Sequence, residues 1–449
     1  MPRREHAIVV GASMAGLLTA RAASDHFRRV TLIERDTLPT DPCHRKGVPQ
    51  GCHAHGLLAS GYRVMDAYFP GMMDALEAAG APRGDVVGDF LWYQYGAWKL
   101  RQNLGLGGIV VSRPCLEQAV RSRVKALPNV SMVDDHDALH PVFDRGTGRV
   151  TGVEIRRRTD SSKAVMEADL VVDASGRGSQ SPKWLEEWGY GRPQETVVRV
   201  DVGYSTCVFE RLPGDFHDSV GGIVAGTAPQ ATRYAAVLAA EGWRWVITLV
   251  GMLGDYPPVD RNQWIAWAAT LPVPDVYELV KRARPLSEVV TYRFSANQRR
   301  HYEKMTRWPD GYLVIGDAVC SFNPIYGQGM SAAALEAQAL GECLTAGDDG
   351  LADRFFARAG RIADIPWTIA TGEDFRYPQV EGRRPPGHTL INRYMERVHR
   401  TASHDAVVCR RFFEVANLLA PPTAVMAPGV MWRVLFGRTG DAPVRSAGR

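Results

Sequence analysis

The stretch GYLVIGDAVCSFNPIYGQGM (311–330) is the most informative part of this 449-residue sequence. Apolar residues run into Gly316, Asp317 follows, and a glycine-rich loop after Pro324 leads into a segment rich in helix formers. This order predicts a strand, an acidic turn and a helix whose first N–H groups point at a ligand. Glycines in such a loop let the backbone approach that ligand closely. The pattern favours a nucleotide site; the alternative is an ordinary strand–loop–helix that Asp317 caps.

The N-terminus carries a second nucleotide-binding pattern. His6–Val10 predicts a short strand, GASMAG (11–16) predicts a glycine turn, and Val30–Ile33 predicts a strand that ends at Glu34. This is the βαβ dinucleotide fingerprint, in which an acid about 20 residues after the glycines binds the ribose hydroxyls. Ser13 stands where that fingerprint usually has its middle glycine. Because an acid disfavours a phosphate on the ribose, the fingerprint predicts NAD or FAD.

A third segment of the same kind decides between the two cofactors. ADLVVDASGRGS (168–179) again predicts a strand that ends in an acid and glycines. Together the three motifs resemble the single-component FAD-dependent monooxygenases of the aromatic-hydroxylase (para-hydroxybenzoate hydroxylase-like) fold, over about residues 6–345. The resemblance implies that the first motif holds the ADP half of FAD. It implies that the middle motif lies near FAD and the nicotinamide donor, and that the last binds ribityl and pyrophosphate, with its helix facing the flavin.

The resemblance also assigns site residues. It implies that Arg45 and Pro324 position the reaction on the flavin side, while the flavin carries the chemistry. Arg113 begins a predicted helix that Ser112 can cap, where the family places an arginine on FAD. Solvated surface cations are the alternative interpretation of Arg45 and Arg113. The predicted cofactor-binding residues are Gly11, Ser13, Met14, Ala15, Gly16, Glu34, Arg35, Arg45, Arg113, Asp173, Gly176, Gly316, Asp317, Gly327, Gln328, Gly329 and Met330. Aromatic residues predicted to line the substrate pocket are Trp92, Tyr95, Tyr204 and Phe322.

Two further stretches narrow the resemblance. RKGVPQGCHAHGLL (45–58) and VTYRFSAN (290–297) look like a bacterial branch that includes the epoxidases of polyether antibiotic pathways and is similar to squalene epoxidase. We therefore predict an enzyme, driven by NADH or NADPH, that inserts one atom of O2 into a hydrophobic secondary metabolite through a flavin C4a-hydroperoxide, by alkene epoxidation. The alternatives are aromatic ring hydroxylation on the same fold and a flavoprotein that does not oxygenate, such as a prenyl-chain reductase or a ligand-binding flavoprotein without turnover.

Two other patterns point elsewhere. Cysteines and histidines alternate over Cys43–His55, but zinc sites pair ligands two to four residues apart and no second cluster answers this one. We therefore predict no metal. WRWVIT (243–248) resembles part of a flavin-halogenase signature without its closing proline, and alternating aromatic residues on a strand favour core packing.

Composition indicates an ordinary large enzyme. The chain is 45% hydrophobic, its formal net charge is +4, and no run of basic residues predicts a nucleic-acid partner. The sequence enters its first strand directly, and no apolar run reaches the ~20 residues of a membrane helix. We predict a cytoplasmic protein without a transmembrane segment. Its predicted partners are a hydrophobic small molecule, O2 and NAD(P)H; the sequence leaves its oligomeric state open.

The order of elements predicts an α/β fold. We expect a Rossmann-like FAD-binding domain, an inserted substrate domain made mainly of β-sheet, and a helical C-terminal region that covers the pocket or touches a membrane. Val150–Ile155 and Lys163–Val172 predict a β pair before the middle motif. The predicted boundaries are 1–89, 112–194 and 306–349 for the FAD-binding domain, 90–111 and 195–305 for the substrate domain, and 350–449 for the C-terminal region.

Overall fold

The computed structural model describes residues 4–437, and its elements form one parallel sheet, one large mixed sheet and a helical C-terminal region. The strands are β1 (Arg4–Val10), β2 (Phe27–Ile33), β3 (Arg83–Asp85), β4 (Phe90–Gln94), β5 (Ala97–Trp98), β6 (Gly107–Ile109), β7 (Val130–Val133), β8 (His136–Asp144), β9 (Arg149–Arg157), β10 (Lys163–Glu167), β11 (Leu170–Asp173), β12 (Gln194–Glu210), β13 (Gly221–Ala225), β14 (Arg233–Ala240), β15 (Arg244–Gly251), β16 (Val290–His301), β17 (Tyr312–Val314) and β18 (Cys320–Ser321). The helices are α1 (Met14–Ser24), α2 (Ala59–Tyr68), α3 (Met72–Ala78), α4 (Arg113–Lys125), α5 (Ser181–Glu187), α6 (Arg261–Ala268), α7 (Asp275–Arg282), α8 (Gly329–Thr345), α9 (Leu351–Asp374), α10 (His388–Thr401), α11 (Ala406–Ala416) and α12 (Pro428–Phe436).

The parallel sheet sets the position of the three nucleotide motifs. Its strand order is β17-β11-β1-β2-β7, so the chain leaves β1 towards β2 on one side and returns through β11 on the other. Open α/β sheets bind ligands at the carboxyl ends of their strands, where the strand order reverses. The motifs follow β1, β2, β11 and β17, and they therefore meet at that edge.

Helix α1 lies unusually close to β1. A Cβ atom on Gly16 would lie 1.7 Å from the carbonyl oxygen of Gly11, and Gly11 itself has a φ of +100°. Glycine is required at both positions, since one permits the left-handed turn and the other the close packing. The helix thereby starts directly at the end of β1.

The mixed sheet has two faces with different functions. Its order is β18-β16-β12-β15-β14-β13-β4-β5. Alternate residues of β14 point to opposite faces: Ala235 and Val237 join the core beneath α6 and α7, whereas Ala236 and Leu238 line a cavity. The sheet is therefore a packed layer on one side and a cavity wall on the other.

The fold class agrees with the α/β prediction, with one difference in a local element. The segment 163–172 forms two strands instead of one, because β10 pairs with β9 in a separate antiparallel sheet and β11 joins the parallel sheet. The C-terminal region is helical as predicted as far as residue 437; its last 12 residues lie outside the described ones. In the range 4–437, no helix is long and apolar enough to cross a membrane.

Candidate functional site

A single cavity of about 1180 Å³ begins at the carboxyl edge of the parallel sheet and ends between the mixed sheet and the C-terminal helices. Single small-molecule sites have roughly 300–1,000 Å³, so this cavity has room for two molecules. Predicted residues on its wall are Gly11, Ser13, Met14, Ala15, Glu34, Arg35, Trp92, Arg113, Gly176, Tyr204, Asp317, Phe322, Pro324, Gly327, Gln328, Gly329 and Met330. Predicted residues that do not contribute to the wall are Gly16, Arg45, Tyr95, Asp173 and Gly316.

Glu34 follows β2 at the nucleotide end of the cavity. One carboxylate oxygen accepts the Ala12 N–H at 2.9 Å and the other accepts the Asp36 N–H at 3.1 Å. Arg45 lies 3.3 Å from the first oxygen, and Glu34 is only 7% exposed. The carboxylate is therefore fixed on the cavity wall, where it can accept hydrogen bonds from ribose hydroxyls.

Arg45 lies behind this wall. Its guanidinium contacts Glu117 at 2.6 Å, Glu34 at 3.3 Å and Asp36 at 3.4 Å, and it donates to the Ala12 carbonyl. None of these contacts is with the loop 323–330. In the structure Arg45 thus supports Glu34 at the nucleotide end and does not adjoin the loop where the flavin is expected. Its side chain is 4% exposed, so the solvated-cation interpretation does not hold either.

Arg113 reaches the cavity and explains the departure from the glycine fingerprint. It opens α4, which Ser112 caps as predicted, and it donates to the Ser13 hydroxyl at 2.9 Å. Glu117, one turn further along α4, holds Arg113 at 3.0 Å. Burial alone would raise the pKa of Glu117, but Arg113 and Arg45 outweigh it and bring that pKa below its ordinary value. Glu117 was not among the predicted site residues, although its i, i+4 spacing from Arg113 was a usable signal in the sequence.

The middle motif shapes the wall beside the first one. Asp173 is buried and accepts hydrogen bonds from the Ser175 N–H and from the Ser179 and Ser181 hydroxyls. It therefore fixes the turn and does not face the cavity. Arg177, which our prediction omitted, follows Gly176 onto the wall and places its guanidinium 4.9 Å from the centre of the Phe294 ring.

The Asp317 side chain makes no hydrogen bond or ion pair within residues 4–437, and it is accessible through the cavity. Desolvation of the carboxylate by the surrounding protein raises the pKa of Asp317, and the positive charges of Arg113 and Arg177 partly offset that rise. Such a carboxylate is an acceptor without a partner. Its neighbour Gly316 donates its N–H to Glu336 at 2.7 Å, and burial raises the pKa of Glu336 to about 8.

The loop before α8 has the features of a flavin contact. Gly327 has a φ of +67°, and Gln328 is 2% exposed while its Oε1 has no hydrogen-bond partner. Gly327 to Met330 all line the cavity at the start of α8. A Cβ atom on Gly176, Gly327 or Gly329 would meet no atom within 4 Å, so space is open there. Asp317 is an unpartnered acceptor, and the Glu34 carboxylate keeps lone pairs beyond those its protein partners use, so the residues present fit FAD.

A buried polar network, absent from our sequence analysis, fixes this loop. The Asp374 carboxylate at the end of α9 accepts from Asn297 at 2.8 Å, from Asn323 at 3.1 Å and from the Tyr326 hydroxyl at 2.9 Å. The Tyr204 hydroxyl donates to Asn323 at 2.6 Å. Burial raises the pKa of Asp374 to about 7. The network therefore connects α9, the mixed sheet and the loop around Pro324.

Three of the four aromatic residues predicted to line the substrate pocket lie on the cavity wall, and Tyr95 does not. Trp92 on β4 faces the cavity, with Tyr204 and Phe322 from other segments. Tyr95 follows β4 in a left-handed conformation and packs behind the wall, 4.8 Å from the His399 ring. Residues at odd positions of β4 face away from the cavity, and Tyr95 continues that side.

The histidines of the 45–58 loop are bound to protein groups. The Nδ1 atom of His53 lies 2.7 Å from the Thr206 hydroxyl, and that of His55 lies 2.8 Å from the His53 carbonyl oxygen. Burial lowers the pKa of His53 to about 4 and that of His55 to about 3. Both are neutral at pH 7. No group of three or more His, Cys, Asp or Glu residues suited to a metal ion occurs in the described part of the chain.

The segment that resembles a halogenase signature contributes Thr248 to the cavity wall, but neither of its tryptophans. Trp245 is fully buried in the core beneath α6 and α7, beside Phe216, whereas Trp243 is 63% exposed on the preceding turn. Trp245 therefore has the core-packing role that the strand pattern favours.

No protein-family model matches the chain. Among curated proteins, the chain is 33% identical to Protein Rv3254 of Mycobacterium tuberculosis over 449 residues, covering 95% of this chain and 92% of the relative. It is 28% identical to a kynurenine 3-monooxygenase of Salinispora tropica over 372 residues, 77% of this chain and 74% of that protein.

Solved structures share the fold at lower identity. A flavin-dependent brominase, Bmp2, superimposes with a TM-score of 0.64 at 14% identity, covering 92% of this chain and 93% of that one. The p-nitrophenol 4-monooxygenase PnpA of Pseudomonas putida superimposes with a TM-score of 0.61 at 18% identity, covering 93% and 99%. The chain therefore belongs to the family of Protein Rv3254, and it is an enzyme of the FAD-dependent monooxygenase class.

Proposed function

We propose that this enzyme binds FAD, takes electrons from NADH or NADPH, and inserts one oxygen atom from O2 into a hydrophobic secondary metabolite by alkene epoxidation. One observation carries the proposal: a single continuous cavity joins two differently lined parts. The nucleotide cradle is the part lined by Gly11, Ser13 and Glu34, and the apolar chamber is the part lined by Ile223, Ala236 and Leu238. The loop before α8 lies where the two meet. A dinucleotide extended from Glu34 towards that loop would present its reactive end to a molecule in the chamber.

The bound cofactor supplies the activation of O2 and the transfer of one oxygen atom, chemistry that side chains do not offer. The side chains bind and orient it. Glu34 would accept from the ribose hydroxyls, and Asp317 would accept from the chain that links the ring to the pyrophosphate. The first N–H groups of α8 favour negative charge on the flavin ring, because they form the positive end of the helix dipole.

The chamber is suited to an apolar substrate and to the exclusion of water. Its wall on the mixed sheet consists of side chains such as Ile223, Ala236, Leu238, Val250 and Phe294. A dry site keeps a reactive intermediate from hydrolysis. An alkene needs no acid or base to become nucleophilic, and the apolar side chains just named supply none; the same sheet also places the phenols of Tyr234 and Tyr292 on the wall. These properties support epoxidation.

Aromatic ring hydroxylation is the second candidate. Two relatives are named kynurenine 3-monooxygenase and one structural neighbour is named p-nitrophenol 4-monooxygenase. Trp92, Tyr204 and Phe322 on the cavity wall could also pack against an aromatic ring.

The test is turnover of the FAD-loaded protein under ¹⁸O2 with NADH or NADPH. A ligand that copurifies with the protein, identified by mass spectrometry, would provide the first substrate, alongside a polyene and a phenol. We expect substrate to accelerate NAD(P)H oxidation and the product to contain one ¹⁸O atom, with NMR distinguishing an epoxide from a phenol.

Three outcomes separate the alternatives. FAD binding without substrate-stimulated oxidation and without ¹⁸O in any product would overturn oxygenation and favour a prenyl-chain reductase or a ligand-binding flavoprotein. A labelled phenol would replace epoxidation with hydroxylation. A purified protein that remains colourless and takes up no flavin on reconstitution would overturn the cofactor assignment.

A further inference from the structure

The outer side of α12 leaves large apolar side chains in solvent. Met431, Trp432, Leu435 and Phe436 are all exposed, Trp432 by 67% and Phe436 by 68%. They occupy positions i, i+1, i+4 and i+5, which lie together on one side of a helix. The centres of the Trp432 and Phe436 rings are 4.7 Å apart. We call these four residues the apolar face of α12.

The opposite side of α12 is apolar as well. Val430 and Val434 are buried in a core shared with α10 and α11, and Arg433 is the only charged residue between Pro428 and Phe436. A helix that is apolar all round is normally covered all round. Exposed apolar patches of this kind mark interaction surfaces, so we expect a partner to cover the apolar face.

Unpaired arginines lie on the helix that packs against α12. Arg393 and Arg397, one turn apart on α10, are exposed and have no hydrogen-bond or ion-pair partner within residues 4–437. Arg433 is half exposed and pairs with Asp405 at 2.9 Å. From the start of α10 to the end of α12, six arginines outnumber three carboxylate side chains. This surplus of positive charge favours an anionic partner.

The 12 residues that follow Gly437 add to the positive charge. They contain three arginines and one aspartate, but no leucine, isoleucine, methionine or aromatic residue. This composition supplies cations and no apolar stretch that would cover α12. Basic residues next to an apolar helix face are typical of segments that bind anionic lipids.

The cavity opens to the outside in the same region. Ile391 on α10 and Met426, two residues before α12, both line the cavity, yet they are 43% and 38% exposed. Pro422 and Thr423 line the cavity beside them in sequence. An apolar molecule held by a surface at α12 would therefore be close to a way into the chamber.

We propose that the apolar face of α12 and the arginines of α10 dock the protein on an anionic phospholipid surface. Trp432 and Phe436 enter the boundary between head groups and acyl chains, where aromatic side chains are favoured. Arg393 and Arg397 contact the lipid phosphates. The inference goes beyond the proposed function, because docking needs no turnover and holds whichever reaction the cavity carries out.

The test is sedimentation of the FAD-loaded protein with vesicles. One set is phosphatidylcholine alone, and the other is equal parts of phosphatidylcholine and phosphatidylglycerol. We expect a partition coefficient at least about tenfold larger on the anionic vesicles, the effect of two arginines near a charged surface. Trp432→Ala should lower the partition coefficient on anionic vesicles at least about tenfold. The double variant Arg393→Gln with Arg397→Gln should lose the preference for anionic vesicles.

Matched controls make the same changes elsewhere. Trp243→Ala removes a tryptophan of similar exposure from the turn before β15. Arg63→Gln with Lys125→Gln removes two exposed cations from α2 and α4. Both controls should partition as the wild type does. Because the altered side chains are exposed, all variants should keep the wild-type melting temperature, which distinguishes lost docking from lost folding.

Three results would overturn the inference. The first is equal sedimentation with and without anionic vesicles. The second is a folded Trp432→Ala variant that binds anionic vesicles as tightly as the wild type. The third is a wild-type dimer in analytical ultracentrifugation that Trp432→Ala dissociates, which would replace the lipid with a second copy of this chain.

Discussion

Glu34 is the residue through which the sequence specifies the nucleotide. Two backbone N–H groups and Arg45 hold its carboxylate on the cavity wall. Glu34→Gln should weaken FAD binding about 10- to 150-fold, because a charge-assisted hydrogen bond contributes about 1.5–3 kcal/mol. Titration of the apoprotein with FAD, followed by flavin fluorescence, measures the change.

The control for Glu34 is Glu5→Gln, the same change on the exposed side of β1, where Glu5 pairs with Arg28 in solvent. We expect it to leave FAD affinity unchanged. Equal FAD affinity for Glu34→Gln and the wild type would contradict the ribose assignment.

Asp374 acts on the loop before α8 from outside the cavity wall. Asp374→Asn turns an amide group towards Asn297, Asn323 and Tyr326, which all donate to the carboxylate. At least one buried donor then lacks an acceptor, so the free energy of unfolding should fall by about 1–3 kcal/mol. Urea unfolding measures this fall, and the absorbance spectrum of bound flavin reports the loop.

Asp353→Asn is the matched change near the start of α9, where the side chain is exposed. It should alter neither unfolding nor the flavin spectrum. A variant Asp374→Asn with wild-type stability and spectrum would show that the network does not hold the loop.

At the scale of elements, the contact between β1 and α1 decides whether the nucleotide cradle forms. Gly16→Ala introduces a methyl group 1.7 Å from a carbonyl oxygen of the backbone, which cannot move without displacing the turn. We expect a loss of at least about 1–3 kcal/mol, the usual cost of overpacking, together with a lower FAD content. Thermal unfolding and the ratio of flavin to protein absorbance measure both effects.

Gly429→Ala on α12 provides the comparison, since a Cβ atom there meets nothing within 4 Å. Its melting temperature should equal or exceed that of the wild type, because alanine has the higher helix propensity. Similar behaviour of the two variants would refute the steric argument for Gly16.

The pH dependence of the free energy of unfolding is a property of the whole molecule, because it sums the contributions of many buried titratable groups. Glu336 has a folded pKa of about 8 against an ordinary value near 4.5, so the folded state binds the extra proton between these pH values. Stability from this group is therefore present at pH 5 and lost as the pH rises towards 8. In the wild type, the free energy of unfolding should therefore fall between pH 5 and pH 8. Glu336→Gln should make this fall smaller by roughly 2–4 kcal/mol, as measured by urea unfolding at the two pH values.

Glu342→Gln on the same helix serves as the control, because Glu342 is exposed and pairs with Arg358. This variant should show the same fall in unfolding free energy between pH 5 and pH 8 as the wild type. The lowered pKa values of His53 and His55 act in the opposite direction: their stabilisation is lost as the pH falls from about 6.5 towards 4 for His53 and towards 3 for His55. An unchanged decline in Glu336→Gln would place its source in other groups.

The sequence alone determined the fold class and the cofactor edge of the molecule. Local signals were sufficient there, because the glycine turn and the acid of each motif lie in one short stretch of chain, as at Gly11–Gly16 with Glu34 one strand later and at Gly316–Gln328. Parity along β4 was also present in the sequence, but the prediction named both Trp92 and Tyr95, and of these two Trp92 lies on the wall.

Only the tertiary structure decided the supporting contacts and the far half of the cavity. Arg45 meets Glu117 across 72 positions, and Asp374 meets Asn297 across 77, so no local pattern indicates either pair. Lys99 likewise donates to the His399 carbonyl of α10 across 300 positions. Such contacts depend on how layers pack, and packing is set by the whole core and not by any single stretch of sequence.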